Sequence, residues 1–126
     1  MKTRWLDRRI AAPGPFLALC LSQEEFDAAL KDIGVRPMDF IRNDHSDATA
    51  HYIDADSGFS CVVCMRGYEG RSPIEVAGLL VHEAVHIWQV YAERLGEESP
   101  GAEQEAYAIQ CISQELMAEF ARKMSE

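Results

Sequence analysis

The chain has 126 residues, a formal net charge of −9 and a pI near 4.8, which is one domain's worth of sequence. Such an acidic surface repels a phosphate backbone, and this excludes a nucleic-acid partner. No stretch approaches the roughly 18 apolar residues of a membrane span, and Lys2, Arg4, Asp7, Arg8 and Arg9 do not lead into the apolar segment of a signal peptide, so the expectation is a cytoplasmic protein without a membrane partner.

Four cysteines in such a chain are expected to be reduced thiols, and disulfides do not frame the fold. Residues 1–15 mix basic side chains with Pro13-Gly14-Pro15 and predict a loosely packed arm ending in a turn. Residues 16–21 form an apolar run fit for a buried strand. The following Ser22, Gln23, Glu24 and Glu25 make a capping box that opens a helix ending near Gly34. Phe26, Ala29, Leu30 and Ile33 give that helix one apolar face. Two further strands are predicted over 49–54 and 59–66, joined by the turn residues Ala55-Asp56-Ser57-Gly58. Cys61-Val62-Val63-Cys64 has the spacing of a zinc knuckle. In a strand, however, cysteines three apart point to opposite faces, and buried thiols are expected instead.

Ser72-Pro73-Ile74-Glu75 repeats the helix-start signal, with Ser72 as N-cap, Pro73 at the first helical position and Glu75 as the capping acid. Gly96 supplies a stop, and Ser99-Pro100 starts a last helix that runs close to the chain end. The first of these helices carries His82-Glu83-Ala84-Val85-His86. At about 100° per residue, His86 lies only about 40° round from His82 and roughly 6 Å further along, so both imidazoles can grip one ion while Glu83 stands beside it. Most of the helix is apolar around its circumference, which predicts a central, buried element. Its polar line is Glu75, His82, His86, Gln89 and Glu93, an arrangement that a simple solvent stripe would also produce. Glu83 stands apart on an apolar flank, where an isolated carboxylate is costly unless a cation compensates it.

A metal centre needs a third protein ligand, and the last helix offers Glu103, Glu105, Glu115 and Glu119. With Glu105 as origin, Ile109, Ile112, Leu116 and Phe120 fall within about 60° of it. Glu105 thus occupies the middle of the apolar face and is the predicted ligand, whereas Glu119 lies near enough to the chain end to reach solvent. The acidic Glu93, Glu97 and Glu98 lack the alternating oxygen ligands of a calcium loop. Trp5 and Trp88 are expected in packing roles.

His82, Glu83 and His86, followed by Glu105-Ala106-Tyr107, resemble the gluzincins, the HExxH-plus-Glu branch of zinc metallopeptidases. More narrowly, residues 82–89, Glu105-Ala106-Tyr107 with Gln110, and Gln114-Glu115-Leu116-Met117 look like the short HExxH proteins of phages and prophages. Specific agreement covers residues 73–120. Ile109 departs from the pattern, because larger members carry an aspartate there that braces a histidine ligand. The resemblance implies Zn²⁺ held by His82, His86 and Glu105, with Glu83 as general base in hydrolysis of a peptide or protein substrate. An oxyanion donor is expected from Tyr68, ahead of His45, His51 and Tyr52, and the strand over 59–66 is the expected platform for an extended substrate. The alternative is a metal-binding accessory or assembly protein with little or no turnover. The expected architecture is a single α+β domain, in which a small antiparallel sheet packs against the HExxH helix and a C-terminal helix carrying the third ligand.

Overall fold

A computed structural model describes residues 2–6, 16–56, 58–96 and 101–126, with Phe16 described by its backbone only. The predicted α+β class holds. Strands β1 (Phe16–Cys20), β2 (Ala48–Ala55) and β3 (Gly58–Met65) form one sheet in the order β1-β3-β2. The sheet is mixed rather than antiparallel throughout, because β1 joins β3 in parallel, from Phe16↔Ser60 to Cys20↔Cys64. β2 and β3 form the expected antiparallel pair, from Ala48↔Met65 to Ala55↔Gly58. Ser57, in the connection between them, lies outside the described residues.

Helices cover both faces of the sheet. Helix α1 (Gln23–Asp32) packs Phe26, Ala29 and Leu30 against Ala18, Cys20, Val62 and Cys64 on one side. On the other side, α2 (Pro73–Arg94) and α3 (Ala102–Met124) bury Leu80, Ile87, Trp88, Ile112 and Leu116 against Leu17, Leu19, Val63 and Met65. Two-sided burial explains why β1 and β3 read as continuous apolar runs instead of alternating ones. Cys61 and Cys64 fall into opposite clusters, as strand geometry requires. All four cysteines are free, three of them buried and Cys111 exposed, and burial pushes the Cys61 thiol up to about 12.

Local chemistry sets the helix ends. Ser72 Oγ accepts from the Glu75 N–H at 3.2 Å and the Glu75 carboxylate accepts from the Ser72 N–H at 3.0 Å, closing the predicted capping box of α2. At α1, Ser22 caps the Glu25 N–H, but the Glu25 carboxylate accepts from the Leu21 N–H and from Lys123, both at 2.8 Å, so that box is not reciprocal. Gly96 takes a φ of 77° just past α2, the left-handed conformation a helix stop requires. Ser99 and Pro100 lie outside the described residues, and α3 begins after Gly101.

Residues 7–15 of the expected arm are likewise outside the described part. Residues 2–6 are not loose: Leu6 is buried, and its N–H donates to the Leu17 carbonyl at 2.7 Å. No helix among the described residues is long and apolar enough to cross a membrane.

Candidate metal centre

Helix α2 is buried along one side only. Val76, Leu80, Glu83, Ala84, Ile87, Trp88, Tyr91 and Ala92 form the buried arc, while Ile74 is 84 % exposed and Val81 also reaches solvent. The helix is therefore not encircled by core, as its composition had led one to expect. His82 and His86 lie on the open side, with ring centroids 4.7 Å apart and planes at 75°. Their spacing in sequence thus becomes a pair of adjacent imidazoles facing out of the fold.

A brace for one of them is present where the sequence analysis found none. His86 Nδ1 lies 3.2 Å from Gln89 Oε1. An amide oxygen only accepts, so in the neutral ring this contact puts the proton on Nδ1 and leaves the Nε2 lone pair for a metal. Gln89 thus orients the His86 ring from within α2. The signal was readable as an i, i+3 pair on the polar line of α2.

Glu83 is only 7 % exposed and its carboxylate accepts no hydrogen bond among the described residues. Desolvation raises its pKa, partly offset by the attraction of His82, His86 and Arg42. A buried carboxylate that binds protons more readily than usual, one residue from a candidate ligand, has the properties of a proton acceptor and donor.

The predicted third ligand stands elsewhere. Glu105 is exposed, and its Oε2 accepts from the Trp88 indole Nε1 at 3.0 Å. Trp88 projects from α2 about 120° away from His82, on the flank away from Glu83. Among the described residues no three His, Cys, Asp or Glu side chains are grouped as a ready cation site. The periodicity argument placed Glu105 at the right angle on α3, since Ala108, Ile112 and Leu116 are the buried residues of that face. Its axial position decides the outcome: Glu105 sits in the first turn of α3, before Ala108, the first buried residue of the helix. The buried carboxylate of α3 is instead Glu119, 3 % exposed, which was expected to reach solvent. Burial alone would raise its pKa, but hydrogen bonds of 2.6 and 2.8 Å from Arg122, with Lys123 and Arg4 nearby, outweigh that and hold it low.

The other candidates separate cleanly. Tyr68, in the turn Tyr68–Gly70, sets its ring edge-on against Phe120 at 5.6 Å, which directs it to α3. His51 stacks on Phe26 at 4.5 Å and its Nε2 meets the Phe40 carbonyl at 2.8 Å, on the α1 face of the sheet. Tyr52 lies on the α2 side, within electrostatic reach of Glu83, and burial with the charges of Cys61 and Glu83 raises its phenol to about 12. His45 lines an open pocket of about 490 Å³ that also takes in His82 and Glu83. Arg42 was not anticipated at all. Its guanidinium donates to the Ala50 carbonyl, and its charge is felt by Tyr52 and Glu83. Nothing in local sequence distinguishes it from other loop arginines.

The expected substrate platform over 59–66 is corrected by the topology. β3 is the middle strand, paired on both sides, and has no free edge to offer. Comparison with known proteins finds no matching family model, no matching curated protein and no matching solved structure.

Proposed function

We propose that the chain is a minimal zinc-dependent peptidase whose ion is held by His82 and His86, with Glu83 as general base. The observation that carries this reading is the pairing of two outward imidazoles, one of them braced by Gln89, with a buried carboxylate that shares the His82 pocket. A plain solvent stripe accounts for the histidines but not for a largely buried carboxylate that borders the same open pocket. The third donor read from the sequence is Glu105, which would have to leave the Trp88 indole to join them.

A zinc ion bound there would supply a water that ionises near neutral pH and a Lewis acid for the scissile carbonyl. Glu83 takes the proton from the attacking water at its carboxylate and delivers it to the leaving amine; its raised pKa suits both transfers. The Tyr52 phenol stays protonated at neutral pH and is the better placed donor for the developing oxyanion, in preference to Tyr68, which packs on Phe120. The edge of β2 opposite β3 carries no other strand among the described residues and takes over the role of substrate platform expected of residues 59–66.

The unassembled third donor favours a second reading, a metal-binding accessory or assembly protein without turnover. Digestion of a peptide library by zinc-loaded wild type and Glu83→Gln separates the two. Cleavage by wild type, reduced at least about 100-fold in the variant, is the expected result. Equal cleavage by both, or by neither, removes the peptidase reading.

A further inference from the structure

His45 occupies the tip of a turn that the side chains of Asn43 and Arg66 hold in place beside α2. The Asn43 carbonyl accepts from the Ser46 N–H at 2.9 Å, and Asn43 Oδ1 accepts from the His45 N–H at 2.9 Å. The Arg66 guanidinium donates to the carbonyls on either side of His45, those of Asp44 at 2.9 Å and Ser46 at 2.8 Å. Asp47, next in line, is held by Arg71 at 2.6 Å, with Arg66 at 3.8 Å. The Asn43 and Arg66 bonds fix backbone, and the imidazole of His45 itself has no hydrogen-bond or ionic partner among the described residues.

His45 shares the lining of the open pocket of about 490 Å³ with His82 and Glu83. Its other acids are already engaged, Asp47 by the two arginines and Glu75 by the capping box of Ser72. Two histidines without a hydrogen-bond partner among the described residues therefore line this pocket, one from the turn and one from α2, while His86 stands one helical turn beyond its lining. Glu105 approaches α2 on another flank and would have to break its bond to Trp88.

We propose that His45, rather than Glu105, completes the metal centre with His82 and His86. The inference rests on the reading of the HExxH face as a metal site and names the donor that reading leaves open. Three neutral imidazoles form a donor set suited to zinc and leave one position for water. The three imidazoles are not grouped as a ready cation site, so closing the centre requires the exposed turn to move against the bonds from Asn43 and Arg66, whereas recruiting Glu105 requires breaking its bond to the Trp88 indole on another flank.

The test uses the full chain with zinc or cobalt(II) alone, in wild type, His45→Ala and Glu105→Ala, read by titration calorimetry and by the visible spectrum of bound cobalt. His45→Ala is expected to weaken zinc binding by more than the roughly 10- to 100-fold that loss of a mere bracing partner costs, and to change the cobalt spectrum. Glu105→Ala is expected to leave both within about threefold of wild type. The metal-free melting temperature of His45→Ala should equal that of wild type, since the exposed imidazole makes no contact the fold depends on. Full affinity in His45→Ala with loss in Glu105→Ala overturns the proposal and returns the role to Glu105. No binding by wild type overturns the metal reading itself, so the two failures are distinguishable.

Discussion

Desolvation of Glu83 raises the free energy of its charged form, and a neutral amide of the same shape avoids that cost. Glu83→Gln should therefore raise the stability of the metal-free protein by about 1 kcal/mol, or roughly 4 °C for a domain of this size, while lowering turnover at least about 100-fold. Calorimetric melting of both proteins at neutral pH checks this; a lower melting temperature in the variant would mean that the carboxylate is satisfied. At this scale much of the candidate site was legible in the sequence. Angles of about 100° per residue place His82 and His86 together and Glu83 on an apolar flank without any tertiary information. Tyr52 and Arg42 were not legible in the same way, because their proximity to Glu83 depends on how β2 and the segment before it meet α2.

Elements announce their own starts more clearly than their neighbours. Ser72, Pro73 and Glu75 specify the beginning of α2 through bonds within four residues, and the structure closes both of them. Ser72→Ala removes that reciprocal pair and should cost about 1 kcal/mol in a denaturant titration, with no change in the dependence on denaturant. A loss below about 0.3 kcal/mol would show that packing alone fixes the helix start.

What local pattern cannot supply is an element's axial offset and its neighbours. Glu105 has the right angle on α3 and the wrong height, because the sequence does not tell how far α3 runs before it first meets the core at Ala108. The central place of β3 was illegible for a related reason: its partner β1 lies some 40 residues earlier and pairs in parallel, a register set by helices packed on both faces.

Across the whole molecule, charge pairs tie the chain's beginning to its end. Arg4 approaches Glu119 at 3.6 Å, Arg122 grips the same carboxylate, and Lys123 reaches back to Glu25 at the start of α1 at 2.8 Å. The pKa of Glu119 is lowered below the usual 4.5, so its contribution is complete above that pH and drains away as pH falls through the folded-state value. Glu119→Gln should cost about 2 kcal/mol at neutral pH and flatten the acid limb of the stability curve below about pH 4.5. An unchanged acid limb, measured by thermal melts across pH, would remove Glu119 from the account of acid sensitivity.

The same scale holds the central claim, since a fold of two helical layers around three strands serves catalysis only if its open α2 face takes up a cation. Zinc content after equilibration and gel filtration tests this most directly, measured for wild type and for the His82→Ala, His86→Ala double variant. One zinc per wild-type chain and none in the double variant is the expected result. A wild-type chain free of zinc, or a double variant that keeps it, would contradict the account.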